Sequence, residues 1–234
     1  MFLYIIRHGD PDYATDTLTE RGRTQAEAVA IRLKDAKINK IYSSPMGRAK
    51  ETADPTARLL GLDYGIEDWA RELEDERLTP FPDGVMKSVS TVQNSYYREN
   101  GNIDLDFYHA YECQGFNQSD MRSGVKRIAD GGREFLARLG YVEENGIYRI
   151  VAPNEDRVAL FCHAAMARAF ISDLLHIPVH IMWAGFTYTH TGVTSIEFRN
   201  NPNGVTAPRI NYYSDMSHLY AAGLDMMYNG SYLV

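Results

Sequence analysis

The feature that most constrains this chain is a pattern found near both of its ends: a short apolar run, a compact motif, then a stretch with helical spacing. Phe2-Leu3-Tyr4-Ile5-Ile6 reads as a strand buried on both faces. Thr19 then caps a helix predicted to run to about Lys37, with Ala26, Val29, Ala30 and Leu33 on its inward side. Lys40–Ser43 is a second strand, and Ser44-Pro45 reads as the N-cap and first residue of a helix continued by Ala49, Ala53 and Leu60. Late in the chain, Val158–Cys162 repeats the apolar run and leads into a helix over about Ala164–Leu175. Thr194–Phe198 and Arg209–Tyr213 read as strands joined by the turn-rich Asn200-Asn201-Pro202-Asn203-Gly204. Strands alternating with helices predict an α/β fold: a three-layer α/β/α sandwich with a mostly parallel central sheet.

The middle of the chain breaks the pattern. Residues from about 75 to 150 are polar and rich in Tyr, Asp and Gly, with a helix expected around Ser123–Leu139 against the preference of Gly131-Gly132. The expected organisation is one domain over residues 1–234, with a core of 1–75 and 151–234 and an inserted cap over about 76–150. An apolar content of 44% is enough for that core, and 24% charged residues exclude wholesale disorder.

A formal charge of −7 argues against a nucleic-acid surface. It also means that an anionic substrate must be attracted by a local cluster of arginines. The two cysteines, Cys113 and Cys162, are too few for a disulfide framework and have no zinc-site spacing. No basic region precedes a long apolar run and no stretch approaches the length of a membrane helix, so a cytoplasmic protein without a membrane partner is expected.

Three motifs fall where strands give way to helices or loops. In open α/β sheets, ligands bind beyond the carboxyl ends of the strands. Arg7-His8-Gly9 follows the first strand. A histidine there can attack phosphorus through one ring nitrogen while the other is held by a hydrogen bond, and Arg7 can neutralise phosphate oxygens. Taken alone, the tripeptide is equally compatible with an ordinary loop histidine. Arg48, in Ser43-Ser44-Pro45-Met46-Gly47-Arg48-Ala49, lies one turn into the second helix, whose free N–H groups favour an anion. His163, in Phe161-Cys162-His163-Ala164-Ala165, could donate to phosphoryl oxygens in the transition state. If the strands are parallel neighbours, His8, Arg48 and His163 converge. A general acid is also needed, and the acidic run Glu72-Leu73-Glu74-Asp75-Glu76 offers candidates, with Glu72 the first choice.

These pieces, in this order and together with Leu18-Thr19-Glu20-Arg21-Gly22-Arg23-Thr24-Gln25-Ala26 and Glu51-Thr52-Ala53, resemble the histidine phosphatase superfamily, also called phosphoglycerate mutase-like. The resemblance covers about 1–75 and 155–220, and the tail Asn211–Leu219 is similar to the closing segment of many members. It implies that His8 is phosphorylated, that Arg7, Arg48 and His163 bind the phosphate, and that Glu72 protonates the leaving oxygen before water hydrolyses the intermediate. It implies no metal and no cofactor. It leaves Thr19 and Thr191 as further candidate contacts, because Tyr188-Thr189-His190-Thr191-Gly192 stands where members offer a backbone donor to phosphate.

The chain departs from the family in having Ala164-Ala165 where many members have glycines, and Glu74 and Glu76 compete with Glu72 for the acid's role. His190 reads as an incidental loop residue and His218 as packing near the end of the core. His109 has no evident partner. His176 and His180 are separated by Pro178, which disfavours a helical metal pair. Cys162 reads as a small buried residue.

The expected function is a phosphatase acting on a small phosphorylated metabolite. A mutase of the phosphoglycerate kind is the alternative, disfavoured by the lack of a Glu-Arg-His-Tyr-Gly type of string after Glu72. A catalytically idle binding module on the same fold is the third reading. Tyr96, Tyr97, Tyr108 and Tyr111 could wall a pocket or simply pack. The oligomeric state is open, a dimer included.

Overall fold

The computed structural model describes residues 1–74, 78–80, 85–88, 94–99, 101, 104–113 and 116–226. Asp75 and Glu76, at the expected boundary between core and cap, lie outside them. The strands are β1 (Phe2–Arg7), β2 (Pro11–Asp12), β3 (Thr17–Leu18), β4 (Lys40–Ser43), β5 (Tyr64–Ile66), β6 (Leu78–Pro80), β7 (Met86–Ser88), β8 (Tyr141–Glu144), β9 (Ile147–Ile150), β10 (Arg157–Cys162), β11 (Val193–Glu197), β12 (Val205–Thr206) and β13 (Arg209–Asp215). The helices are α1 (Glu20–Asp35), α2 (Gly47–Leu60), α3 (Asn94–Glu99), α4 (Met121–Arg138), α5 (Ala164–Leu175), α6 (Val179–Gly185) and α7 (Ser217–Ala221).

The central sheet has the order β13-β11-β1-β10-β4-β5. β1, β10, β4 and β5 run parallel, while β11 pairs antiparallel with both β1 and β13. Successive side chains of a strand face opposite sides, and the buried residues follow that rule. Tyr4, Ile6, Ala159 and Phe161 pack with Val29 and Leu33 of α1 and Ala53 and Ala57 of α2. Leu3, Ile5, Val158, Leu160 and Cys162 pack on the other face with Phe135 and Leu136 of α4 and Phe170 and Ile171 of α5. The result is the three-layer α/β/α sandwich that the strand–helix alternation predicts.

The stretch 76–150 is not uniform. From Met121 onward it enters the sandwich, because α4 buries Val125, Ile128, Phe135 and Leu136 in the same apolar cluster as β1. Gly131 and Gly132 make this approach possible: a Cβ on Gly131 would stand 2.2 Å from Cβ of Trp69, and one on Gly132 would stand 2.5 Å from the Phe170 ring. The two glycines that weaken the helix by propensity are those its packing requires.

The β8–β9 hairpin turns at Asn145-Gly146, both with positive φ (54° and 85°), and this dipeptide is itself a sequence signal for a tight hairpin. Tyr97 is buried in the apolar cluster and Tyr108 is exposed, so at least these two of the four tyrosines do not form one wall.

The start of α2 differs from expectation. Met46 is its N-cap, with extended backbone (φ −72°, ψ 141°), and Arg48 is the second helical residue. Ser44 is withheld from capping because its N–H extends the sheet by donating to the Phe161 carbonyl (2.9 Å), while its hydroxyl meets His163.

Candidate active site

Adjacent parallel strands deliver the site. β1, β10 and β4 end side by side, and the residues that follow them are His8, His163 and Ser44. Backbone bonds lock these ends together: His8 N–H donates to the Cys162 carbonyl and Ser44 N–H to the Phe161 carbonyl, both at 2.9 Å. Gly9 fits against the start of α1 with no room for a side chain, since a Cβ there would lie 2.6 Å from the Gly22 carbonyl oxygen. Its N–H donates to the Thr52 hydroxyl at 3.0 Å. The Arg7-His8-Gly9 and Arg21-Gly22 motifs are thus two sides of one close contact.

His8 is 2% exposed, and its Nδ1 lies 2.7 Å from the Gly9 carbonyl oxygen. A carbonyl can only accept, so Nδ1 carries the hydrogen and Nε2 carries the lone pair. Burial, reinforced by Arg7, His163 and His190, holds the imidazole's pKa well below its ordinary 6.5, and the ring is neutral at pH 7. This is the protonation state of a nucleophile.

Around it stand the other residues expected from the sequence. Arg7 is buried and donates to the Tyr188 carbonyl at 2.6 Å. The His163 ring is 5.2 Å from that of His8 and fully buried. Its Nε2 meets the Ser44 hydroxyl at 2.8 Å, while its Nδ1 has no hydrogen-bond partner among the described residues. Ser44 Oγ already accepts the Met46 N–H and can donate to Nε2, which leaves Nδ1 as the N–H bearing atom. Burial lowers the His163 pKa to about 3, with Arg48 and Arg7 lowering it and Glu72 and Asp16 opposing them, so charges from four residues meet at this ring.

Arg48 is 4% exposed and pairs with Asp16, whose carboxylate also accepts the Gly47 N–H at 2.6 Å. The first turn of α2, expected to face a substrate anion, thus already has an anion of the chain's own. Partial burial works to raise the Asp16 pKa, but the bonds from Gly47 and Arg48 outweigh it and hold the carboxyl below its usual range. No local signal marks Asp16. Its backbone takes a positive φ of 54° at the turn between β2 and β3, which aims it at α2.

Of the acidic candidates, Glu72 is buried and Glu74 exposed, and Glu76 lies outside the described residues. Glu72 sits at the N-terminus of α5, directly after His163. Its Oε1 accepts from Leu73 N–H (2.9 Å) and Met166 N–H (2.8 Å), and its Oε2 accepts from Ala165 N–H (3.2 Å). Ala165, where the resemblance leads one to expect a glycine, thus donates through its backbone. Two of these donors belong to the first turn of α5 and the third to Leu73, so both carboxyl oxygens are held as acceptors.

Thr19 and Thr191 lie beside the site with their hydroxyls engaged. Thr19 Oγ1 accepts the Gly22 N–H as the α1 cap and donates to Asp10 Oδ2 at 2.8 Å. Thr191 donates its hydroxyl to the His190 carbonyl at 2.8 Å, and its N–H lies 3.1 Å from the Arg7 carbonyl and 3.3 Å from that of His8. The backbone donor expected there is thus committed to β1.

His190 is placed otherwise than the sequence suggests, while His218 packs near the end of the core as expected. His190 is 6% exposed with its ring 5.6 Å from that of His8. His218 supports the same loop: its Nε2 meets Thr191 Oγ1 at 3.0 Å and its Nδ1 faces Arg32 Nη1 at 3.4 Å. Cys162 is fully buried, its thiol pushed up by burial. No group of His, Cys, Asp and Glu suited to a metal occurs among the described residues, and none of the described helices is long and apolar enough to cross a membrane.

Comparison with known proteins agrees with the fold. The family model of the histidine phosphatase superfamily (branch 1) matches residues 3–79. Among curated proteins, probable phosphoglycerate mutase GpmB of Shigella boydii is 22% identical over 95% of this chain and 97% of its own length. The Escherichia fergusonii protein of the same name is 23% identical over the same shares. Among solved structures, the Entamoeba histolytica phosphoserine phosphatase in complex with 3-phosphoglyceric acid aligns with a TM-score of 0.61 at 21% identity, covering 93% of this chain and 98% of that one. A mycobacterial glucosyl-3-phosphoglycerate phosphatase aligns equally well, with a TM-score of 0.61 at 22% identity over 91% of this chain and 98% of its own.

Proposed function

We propose that the chain, whose residues 3–79 match the family model of the histidine phosphatase superfamily, hydrolyses a phosphomonoester by way of a phosphohistidine on His8. The observation that carries this reading is the hydrogen bond from His8 Nδ1 to the Gly9 carbonyl, which leaves a neutral ring with its lone pair on Nε2. Nε2 bonds to phosphorus as the ester P–O bond breaks. Arg7, Arg48 and the Nδ1–H of His163 hold the phosphoryl oxygens and gain strength as charge develops on them. Glu72 protonates the leaving oxygen. A phosphoryl dianion next to it works against the three N–H donors and raises its affinity for a proton. Water then releases inorganic phosphate. Arg7 and Arg48 supply the positive charge and the His163 N–H adds a neutral donor, so no metal enters the scheme. The pocket is basic although the chain carries −7 overall.

The substrate is a small phosphorylated metabolite. The names of the solved relatives make short phosphorylated acids, phosphoserine and 3-phosphoglycerate among them, the first compounds to try. Curated relatives that cover nearly the whole chain are named probable phosphoglycerate mutases, and this favours a mutase as the second reading. It differs only in the acceptor, a substrate hydroxyl in place of water.

The test is a phosphate-release screen over a metabolite panel with chelator present, run on wild type and His8→Ala. Activity is expected to survive chelation and to fall by about 10³-fold or more in the variant, as for loss of a nucleophile. Activity retained in His8→Ala refutes the reading. Phosphate moved between positions of phosphoglycerate, with none released, favours the mutase.

A further inference from the structure

Glu72 ends a short turn, and α4 grips that turn along its length. The turn leaves β5, passes through one turn of 3₁₀ helix at Asp68–Ala70 and reaches Glu72 two residues later. Its head is tied to the sheet, where the Glu67 N–H donates to the Ser43 carbonyl at 2.9 Å. From there α4 takes over. The Glu67 carboxylate, which accepts Trp69 Nε1–H at 2.7 Å, pairs with Arg138. Gly131 admits Trp69 itself, since a Cβ there would stand 2.2 Å from the Trp69 Cβ. One turn earlier, Arg127 reaches three carbonyls: Nη1 donates to Trp69 at 2.7 Å and to Arg71 at 3.3 Å, and Nη2 donates to Glu72 at 3.4 Å. Residues 127, 131 and 138 recur at helical spacing, so one face of α4 follows the turn from Glu67 to Glu72.

The chemistry of the turn explains why an arginine stands there. A single turn of 3₁₀ helix ends in carbonyls that it cannot pair internally. Trp69 and Glu72 are buried, so their carbonyls need donors from elsewhere in the chain. A guanidinium carries its N–H groups in one rigid plane and can meet several such oxygens together. The contact also completes the hold on Glu72. The side chain of Glu72 is fixed by the N–H groups of Leu73, Ala165 and Met166. Its main chain is held on one side by the sulfur of Met46, a weak acceptor 3.4 Å from its N–H, and on the other by Arg127 at its carbonyl. Arg127 lies in the segment between the two halves of the core, so that segment reaches the acid directly.

We infer that Arg127 is a positioning residue for Glu72, holding its main chain where the carboxyl group can reach the leaving oxygen, an inference that rests on reading Glu72 as the acid. As Nε2 of His8 bonds to phosphorus, the ester P–O bond breaks and its electron pair stays on the departing oxygen. That oxygen takes the proton of Glu72 and leaves as an alcohol. Arg127 acts on this transfer through the turn, by setting the distance over which the proton moves.

The experiment compares p-nitrophenyl phosphate with benzyl phosphate as substrates of wild type, Arg127→Ala, Arg127→Lys and Glu72→Gln. Each ester carries one ring, but p-nitrophenolate departs without a proton and the benzyl alkoxide does not. The quantity read is kcat/KM, which covers the steps up to departure of the alcohol and leaves out the later hydrolysis of the phosphoenzyme. Glu72→Gln should lose about 10²–10⁴-fold on benzyl phosphate, the worth of a general acid, and far less on p-nitrophenyl phosphate. Arg127→Ala should show the same selectivity at smaller size, about 10–10²-fold on benzyl phosphate, as for a displaced catalytic group. Its retained activity on p-nitrophenyl phosphate shows that the pocket is folded. Arg127→Lys keeps a cationic donor near the Trp69 carbonyl and should recover part of the loss. Equal losses on both esters in each Arg127 variant, or no loss on benzyl phosphate in Arg127→Ala, overturn the inference while Glu72 keeps its role. A Glu72→Gln enzyme that loses the two esters equally overturns the reading of Glu72 as the acid, and this inference with it.

Discussion

The two flanks of His8 are built by different means. On one side, His163 is the first residue beyond β10, and sheet topology alone puts it beside the end of β1. Its support is a neighbouring strand end, Ser44, and its charge environment includes Glu72 at the head of α5. On the other side, His190 comes from an irregular loop. Its position depends on Thr191 in a left-handed conformation, on His218 from α7, and on Asp10 from the turn after β1. One flank is architecture, and the other is a set of side-chain hydrogen bonds that could be changed singly without altering the sheet. The proposed chemistry uses one side of that line: the His163 flank stabilises charge on the phosphoryl group.

The largest effect that would break this comparison is at His163. His163→Asn removes the ring and the donor assigned to phosphoryl oxygens. Loss of one such preorganised donor costs about 10²–10³-fold in rate. Formation of the phosphoenzyme should slow by that factor, more than in His190→Asn, whose ring is assigned no phosphoryl oxygen. A His163→Asn enzyme that forms phosphoenzyme at the wild-type rate would break the comparison. Ser44→Ala should give a smaller loss in the same phase, because it frees the His163 ring to choose the wrong tautomer.

The division also explains what can be read in the sequence. Arg7, His8, Arg48 and His163 are fixed by strand ends, and a strand end shows in a sequence as an apolar run that stops. The sandwich is legible for the same reason, from Phe2–Ile6 and Val158–Cys162 with their following helices. Glu72 can be singled out by its place after Trp69-Ala70-Arg71, but its three N–H donors cannot, since they come mostly from a helix some ninety residues away. His190 reads as incidental in the sequence because a loop residue's direction depends on backbone angles with no compositional mark. Asp16 escapes notice for the same reason. The role of α4 is hidden by an opposite effect: Gly131 and Gly132 lower helix propensity, and only the rings of Trp69 and Phe170 explain why they are there.

Acid should affect the two flanks together. His163 has a pKa of about 3 and His218 of about 4, both lowered mainly by burial, while an unfolded chain has histidines near 6.5. Below 6.5 the unfolded state therefore binds protons that the folded state refuses, and stability is lost as pH falls. Each group contributes a slope of up to about 1.4 kcal/mol per pH unit between 6.5 and its folded pKa. Urea unfolding at pH 7 and pH 5 should show this loss. His218→Asn should flatten the slope, because a side-chain amide does not titrate, and the slope that remains reports the histidines around His8. A stability unchanged between pH 7 and pH 5 would mean that these rings are open to protonation in the folded state.

The smallest effect sharpens the comparison most, because Thr19 serves the fold and one flank at once. Its hydroxyl caps α1 through Gly22 N–H and holds Asp10 Oδ2, but it does not touch the His163 side. Thr19→Ala should cost about 1 kcal/mol of stability, the usual worth of an N-cap, read as a drop of about 2–4 °C in Tm for a chain of this size. Through Asp10 it should also loosen the His190 flank and lower the hydrolysis rate by a smaller factor than His163→Asn. Thr19→Ser keeps both hydrogen bonds and should recover both properties. A Thr19→Ala protein that loses stability but keeps its full hydrolysis rate would confine Thr19 to the helix cap and leave Asp10 oriented by Gln25 and the backbone alone.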